Sequence, residues 1–152
     1  MPESTRRPKI LVLHGPNLNL LGRREPHIYG ATTLEEVDQR LHALAAELSI
    51  EIETFQSNHE GALVDRLQSC MDTVQGCLIN PAALTHTSVA LHDCIKAMPF
   101  PVIEVHLSNP QAREEFRKRS ITGEAAKGAV MGFGWRSYTT ALRGLVDLLT
   151  ER

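Results

Sequence analysis

Short apolar runs alternate with longer segments of helical periodicity along almost the whole of this 152-residue chain. Five of these runs predict strands, at positions 10–13, 50–55, 77–79, 102–105 and 129–131. Between successive runs, apolar residues recur at the spacing of an amphipathic helix. Regular alternation of this kind is typical of a parallel sheet with helices on both faces and right-handed crossovers. Five strands in a chain of this length indicate an α/β fold with the flavodoxin-like strand order.

The first two predicted helices have recognisable starts. Thr33 and Glu36 fit a capping box, and the helix that follows has an apolar face reaching position 48. Asn58 is the expected cap of the second helix, because an asparagine side chain can accept from the free backbone N–H groups there. The apolar face of that helix is formed by Leu63, Leu67, Cys70, Met71 and Val74.

Three further helices are expected in the second half of the chain. One begins at about position 87 and stops before Pro99, and the last covers 137–149. Between them, positions 111–120 predict a charged amphipathic helix with Phe116 facing inward.

Composition and charge narrow the function classes. The net charge of −2 gives no general affinity for nucleic acid or an anionic membrane, and no apolar run approaches the roughly 18 residues of a membrane span. The three cysteines, at positions 70, 77 and 94, form no CxxC pair. We therefore expect reduced, buried thiols in a cytoplasmic protein rather than a nucleophile. Residues 9–152 are expected to form one domain after a flexible tail over 1–8.

The segment 14–30 is the most unusual part of the chain. It follows the first predicted strand as a long polar loop, and long loops are usually functional or disordered. Apolar anchors are expected at Leu18, Leu20 and Leu21, so we expect an ordered loop that opens and closes. Arg24 and Tyr29 lie on this loop, which makes Tyr29 a candidate acid or base; ordinary solvated side chains are the alternative.

Polar residues follow each of the first four predicted strands, at the edge where parallel α/β sheets bind ligands. A set so rich in asparagine, histidine, arginine and tyrosine favours a site over a chance cluster. Its members are Asn17, Arg24, Tyr29, Asn58, His59, Asn80, Thr85, His86, His106 and Ser108. A metal site is disfavoured, because the histidines follow different strands and form neither an HxH nor an HExxH pair.

Glu104 and His106 are two positions apart in a predicted strand, so their side chains point to the same face. A carboxylate there can hold the imidazole in one tautomer and stabilise its protonated form, which makes His106 a candidate general acid. A purely structural pair is the alternative. Tyr29 is the complementary candidate base. Because a tyrosine with a pKa of about 10 is a poor base at neutral pH, it needs a cation such as Arg24 beside it.

Such an acid and base together predict the elimination of water next to a carbonyl. The base removes a proton, and the acid protonates the leaving hydroxyl. Asn17 and a bound water are candidate donors to the developing enolate oxygen. Arg117, on the predicted amphipathic helix, is a candidate partner for a substrate carboxylate.

Five long motifs occur in order along the chain. They are HGPNLNLLGRREPHIYG at 14–30, FQSNHEG at 55–61, NPAALTHTS at 80–88, IEVHLSN at 103–109 and AREEFR at 112–117. Together they resemble the type II 3-dehydroquinate dehydratase family, from about residue 9 to about residue 150. The resemblance implies a flavodoxin-like fold and conversion of 3-dehydroquinate to 3-dehydroshikimate. In that family the reaction is an anti elimination through an enolate, without Schiff base, metal or organic cofactor.

The resemblance also implies residue roles. By motif position, Tyr29 resembles the proton acceptor and His106 the proton donor, with Arg24 assisting Tyr29 and Asn17 stabilising the enolate. Substrate-binding positions are matched by Asn80, His86, Leu107, Ser108 and Arg117. Asp93 matches an acidic residue that reaches a neighbouring subunit's site, in a dodecamer of four trimers. The same reaction serves aromatic biosynthesis and quinate breakdown, so the resemblance implies one of these two roles.

The chain departs from the usual family pattern at a few positions. Ala82 replaces a frequent glycine, and Leu84 replaces a frequent tyrosine. The segments 120–124 and 135–136 are also unusual, which affects the expected subunit contacts and substrate affinity. A catalytically altered paralogue and a flavodoxin-like ligand-binding protein are the alternatives. A phosphate-binding GxGxxG loop and the acidic strand ends of a signalling receiver are both missing from the sequence.

Overall fold

The structure, a computed structural model, describes residues 7–151. Five strands form one parallel sheet in the order β2-β1-β3-β4-β5, which is the flavodoxin-like order that the sequence predicts. They are β1 (Lys9–His14), β2 (Glu51–Gln56), β3 (Gly76–Asn80), β4 (Val102–His106) and β5 (Gly128–Met131). The flexible tail expected over 1–8 lies mostly outside the described residues. Among residues 7–151, no helix is long and apolar enough to cross a membrane.

Helices cover both faces of the sheet. They are α1 (Pro26–Tyr29), α2 (Leu34–Leu48), α3 (Glu60–Ser69), α4 (Val89–Ala97) and α5 (Arg136–Thr150). One apolar core packs α2 and α5 against the sheet, and a second packs α3 and α4 against the opposite face. The central strands are therefore buried on both sides, whereas the edge strands β2 and β5 are partly exposed.

Polar side chains begin two of the main helices as their sequences suggest. The Thr33 hydroxyl accepts from the Glu36 N–H at 3.2 Å, and so caps α2. The Ser88 hydroxyl accepts from the Leu91 N–H at 2.9 Å, so α4 begins slightly later than predicted. Asn58 does not cap α3, which was its expected role. Its side chain instead accepts from the Asn17 N–H at 2.9 Å and ties the long loop to the end of β2.

The predicted amphipathic helix over 111–120 is wrong. The segment holds only two short 3₁₀ turns, Pro110–Ala112 and Glu115–Arg117, and Phe116 is 64% exposed rather than inward. Arg113 between the turns is extended, with φ −114° and ψ −163°, which breaks the helical hydrogen-bond ladder.

Two smaller apolar expectations are also wrong. Helix α3 ends at Ser69, so Met71 lies beyond it and is 37% exposed. In the long loop, Leu18 and Leu21 are buried, but Leu20 is 38% exposed and does not anchor the loop. Helical periodicity placed Met71 on the apolar face of α3, but the helix ends before that residue.

Close contact between the ends of β1 and β3 forms the crevice at the carboxyl edge. The Gly15 N–H donates to the Asn80 carbonyl at 2.8 Å. A Cβ at Gly15 would lie 2.6 Å from the Pro81 carbonyl oxygen, so only glycine fits there. Just beyond, Ala82 has a φ of +53°, in the left-handed region that an alanine adopts only at a cost.

Replacing Ala82 by glycine should therefore stabilise the protein. We expect the free energy of unfolding of Ala82→Gly to rise by about 0.5–1 kcal/mol, because relief of the left-handed strain exceeds the extra chain entropy of glycine. Ala83→Gly in the same turn is the matched control, since Ala83 has no positive φ and should lose about 0.5–1 kcal/mol. Urea unfolding of both variants measures this, and changes of the same sign would contradict it.

Candidate active site

A cleft with about 670 Å³ of open space, including the solvent at its mouth, lies at the carboxyl edge of the sheet. It lies at the boundary between the neighbouring strands β1 and β3, where the strand order changes direction, which is the usual ligand site of this architecture. Of the eleven residues expected to act in catalysis or substrate binding, nine line it: Asn17, Arg24, Tyr29, Asn80, His86, His106, Leu107, Ser108 and Arg117. Three other members of the predicted strand-end set, Asn58, His59 and Thr85, do not line it.

The long loop after β1 brings Tyr29 to this cleft between two cations. The Arg24 guanidinium carbon lies 5.0 Å from the centre of the Tyr29 ring. That of Arg113 lies 5.2 Å from the same centre. Two positive charges therefore lie close to the ring of Tyr29.

Sequence reasoning missed Arg113. It lies inside the AREEFR motif at 112–117, but the predicted helix over 111–120 gave no reason to single it out. The extended backbone at Arg113 carries its guanidinium away from a helical path, and Nη1 donates to the Ser108 hydroxyl at 3.4 Å. Its position between the predicted site residues Ser108 and Arg117 was the available signal.

The end of β3 supplies Asn80 and His86. Asn80 is 3% exposed, and its Oδ1 accepts from the Ala82 N–H at 3.1 Å. The His86 Nδ1 lies 2.8 Å from the Arg119 carbonyl oxygen, so Nδ1 carries a hydrogen and donates to it. This leaves the Nε2 of His86 for a ligand.

The end of β4 supplies His106 with a buried carboxylate behind it. His106 Nε2 and Glu104 Oε2 are 2.9 Å apart, as the alternation of a strand predicts. Glu104 is fully buried, and it accepts from the hydroxyls of Ser120 at 2.7 Å, Thr85 at 3.1 Å and Thr122. Glu104 is thus saturated with donors, and Nδ1 is the His106 nitrogen left for a ligand.

These donors keep Glu104 ionised. Burial raises the pKa of the Glu104 carboxyl. The hydrogen bond and charge of His106, together with the hydroxyls of Thr122 and Ser120, lower this pKa by a larger amount. The net pKa of Glu104 therefore lies below the ordinary value. The His106 imidazole is therefore in direct contact with a buried anion. The three hydroxyls were not predicted to act on Glu104. Two of them, Ser120 and Thr122, belong to the unusual segment 120–124, which was expected to affect subunit contacts and affinity.

The remaining predicted residues take different positions. Arg117 lines the cleft and pairs with Glu114, with Nε 2.7 Å from Oε2. Asp93 does not line the cleft; its side chain is 71% exposed and lies 2.9 Å from His92. Within residues 7–151, no group of three or more histidine, cysteine, aspartate or glutamate side chains is arranged to hold a metal ion.

The second unusual segment, 135–136, lines a smaller cavity to which Tyr29 and Leu107 also belong. The Trp135 ring is stacked between two guanidinium groups, with the Arg40 carbon 3.9 Å and the Arg136 carbon 4.4 Å from its centre. Trp135 also packs against the core on the α5 face. It therefore joins α2 to the start of α5.

Comparison with known proteins gives one consistent answer. A family model described as "Dehydroquinase class II" matches residues 8–146. The chain is 56% identical over 139 residues to a 3-dehydroquinate dehydratase of Geotalea daltonii, covering 91% of this chain and 96% of that protein. It is 52% identical over 143 residues to one of Desulforudis audaxviator, covering 94% and 95%.

Solved structures agree with the sequence relatives. A type II dehydroquinase from Butyrivibrio crossotus is similar with a TM-score of 0.90 and 41% identity, covering 91% of this chain and 97% of that one. A type II dehydroquinase from Propionibacterium acnes gives a TM-score of 0.89 and 39% identity, covering 93% and 99%.

The hydroxyls around Glu104 give a testable stability effect. Thr122→Val keeps the side-chain shape but removes one donor from a buried carboxylate, and should cost about 1–3 kcal/mol of unfolding free energy at neutral pH. Thr122→Ser keeps the hydroxyl and is the matched control, with a smaller loss.

The sign of the pH dependence follows from the lowered pKa of Glu104. Its stabilising contribution is present above the ordinary value of 4.5 and is lost as the pH falls through the folded pKa. Thr122→Val weakens that contribution, so its difference from the wild type should be largest near neutral pH and shrink on acidification. Urea unfolding as a function of pH measures this, and a pH-independent difference would contradict it.

Proposed function

The chain belongs to the class II dehydroquinase family, and from this premise we propose that it converts 3-dehydroquinate to 3-dehydroshikimate. Relatives that share about half of its residues over nearly their whole length are named 3-dehydroquinate dehydratase. The observation that carries the proposal is the pairing within one cleft of Tyr29 beside two cations with His106 beside a buried carboxylate.

In the proposed mechanism, Tyr29 is the base. As a phenolate stabilised by Arg24 and Arg113, it takes the C2 proton of the substrate. The electron pair of the C–H bond moves toward the neighbouring carbonyl and forms an enolate. Asn17, with a bound water, donates hydrogen bonds to the enolate oxygen and stabilises its charge.

His106 then acts as the acid. As the enolate re-forms the carbonyl, the neighbouring C–O bond breaks, and the imidazolium gives its proton to the leaving hydroxyl, which departs as water. The Glu104 carboxylate behind His106 stabilises the imidazolium before the transfer. Asn80, His86, Leu107, Ser108 and Arg117 bind the substrate, since each of them lines the same cleft.

We also propose that the protein acts as a homo-oligomer, a dodecamer of four trimers, in which Asp93 approaches the cleft of a neighbour. Two observations support this assembly. Asp93 is exposed on α4 and does not reach the cleft of its own chain. Phe116 and Phe133 are 64% and 63% exposed, and large apolar side chains so exposed are favoured at protein interfaces.

Loss of the Tyr29 hydroxyl should nearly abolish turnover. We expect Tyr29→Phe to lower kcat by at least about 10²–10⁴-fold, the usual contribution of a general base, with fold and assembly unchanged. The measurement follows the ultraviolet absorbance of the conjugated enone product from 3-dehydroquinate. His27→Ala, an exposed change in the same short helix, is the matched control and should keep wild-type turnover. Near-normal turnover by Tyr29→Phe would refute its role as the base.

Loss of His106 should separate the two proton transfers. We expect His106→Ala to form no product while still exchanging the C2 proton of 3-dehydroquinate with deuterium from solvent, because the base is intact. Mass spectrometry of recovered substrate measures the exchange. His42→Ala, an exposed histidine on α2, controls for loss of an imidazole. Product formation by His106→Ala at the wild-type rate would rule out its role as the acid.

A further inference from the structure

A chain of polar side chains crosses the apolar core on the α5 face. His14 is the last residue of β1 and is completely buried. Its Nε2 lies 2.8 Å from Asp38 Oδ1 on α2, and its Nδ1 lies 2.8 Å from the Tyr138 hydroxyl on α5. None of these three side chains lines the cleft. A polar chain inside an apolar core has a desolvation cost, and a complete one specifies a single arrangement of its members.

The buried Tyr138 phenol sets the direction of the hydrogen bonds in this chain. Tyr138 is completely buried, and burial raises the pKa of its phenol far above the ordinary value, so the hydroxyl keeps its hydrogen. That hydrogen goes to His14 Nδ1, which is then an acceptor. The hydrogen of the ring lies on Nε2 and is donated to Asp38, because a bare nitrogen facing a carboxylate would be repelled.

Asn80 stands at the cleft end of the chain. It is the Cα partner of His14 in the pairing of β1 with β3, so both side chains project to the same face of the sheet. Because the Tyr138 hydroxyl contacts His14, it lies on the same side of the sheet as the Asn80 side chain. Burial raises the pKa of Tyr138, and the Asn80 side chain acts against that rise. The Asn80 Oδ1 accepts from the Ala82 N–H at 3.1 Å, and since a donor lowers the pKa of a phenol, the amide N–H is the group that faces Tyr138.

We propose that Asp38, His14 and Tyr138 are positioning residues that fix the orientation of the Asn80 amide for substrate binding. The inference rests on the proposed function, in which Asn80 binds 3-dehydroquinate. Without the Tyr138 hydroxyl, the Asn80 amide loses the partner that holds its nitrogen side. Part of the binding free energy is then spent on ordering that side chain.

The first test is the effect of Tyr138→Phe on KM and kcat. The change removes one hydroxyl and keeps the ring, so KM for 3-dehydroquinate should rise about 3- to 10-fold, the size of one hydrogen bond. Since Asn80 does not transfer protons, kcat should stay within about twofold. Leu142→Ala removes apolar volume from the same core and helix face, and it should lower the melting temperature without raising KM. An unchanged KM in Tyr138→Phe overturns the proposal.

A double-mutant cycle separates positioning from a structural role. In an Asn80→Ala background there is no amide to orient, so adding Tyr138→Phe should leave KM unchanged. Persistence of the full KM effect in that background overturns the proposal.

A conservative pair of variants tests the far end of the chain. Asp38→Asn keeps an oxygen that can accept from His14 Nε2, so its KM should stay near the wild-type value. Asp38→Ala removes that acceptor and should raise KM as Tyr138→Phe does. Equal KM values for the two Asp38 variants contradict the proposed chain.

A measurement independent of turnover distinguishes this inference from the proposed function. Solid-state NMR of protein carrying ¹⁵N-histidine reports the hydrogen position of His14, which is assigned by its loss in His14→Asn. We expect a hydrogen on Nε2 and a shift of Nδ1 in Tyr138→Phe. An inactive wild type would contradict the proposed function alone. A hydrogen on Nδ1, or an Nδ1 resonance that Tyr138→Phe leaves unmoved, overturns the chain.

Discussion

Parallel pairing of β1 with both of its neighbours is the constraint on which the rest of the structure depends. Because helices cover both faces, the central strands have no exposed surface along their length, and their residues are apolar almost throughout. Only at the carboxyl ends does the backbone leave the core. The pairing brings the ends of β1, β3 and β4 to one edge, so polar groups far apart in sequence converge there.

Strand alternation then decides which layer supports each functional side chain. Glu104 is the Cα partner of Ile79 and so faces the α3 and α4 layer, as does His106 two residues later. Asn80 is the partner of His14 and faces the α2 and α5 layer. The proposed acid and the proposed binding amide are thus held from opposite faces of the sheet.

The sequence predicted those parts of the structure that repeat. The positions of the five strands and their flavodoxin-like order follow from the period of the apolar runs and the direction of parallel strands, and both are confirmed. The helix predicted over 111–120 is absent because the spacing of charged residues carries no information about tertiary contacts. The extended backbone at Arg113 brings a cation to Tyr29, and local helix propensity cannot predict such a long-range contact.

Side-chain partners were the other part that sequence could not supply. The sequence predicts Asn58 as a helix cap, yet its side chain accepts a hydrogen bond from the backbone N–H of Asn17, 41 residues away. Ser120 and Thr122 read as departures from a family pattern, yet they complete the shell of Glu104. Hydroxyl and amide groups satisfy many partners equally well, so only the folded geometry selects one. The catalytic roles of the cleft residues remain predictions.

Electrostatic asymmetry within the cleft is what the proposed mechanism requires, because it places a base and an acid in one site at the same pH. A phenol is ordinarily protonated at neutral pH and an imidazole is ordinarily mostly neutral, so each needs help to take its proposed role. Two guanidinium groups lie beside the Tyr29 ring, whereas a buried carboxylate lies 2.9 Å from the His106 imidazole. These charges come from different segments, since Arg24 lies in the loop after β1, Arg113 follows β4, and Glu104 belongs to β4 itself. Because Glu104 is fully buried, its charge is screened less by water and salt than that of a surface carboxylate, and its interaction with His106 is stronger for that reason.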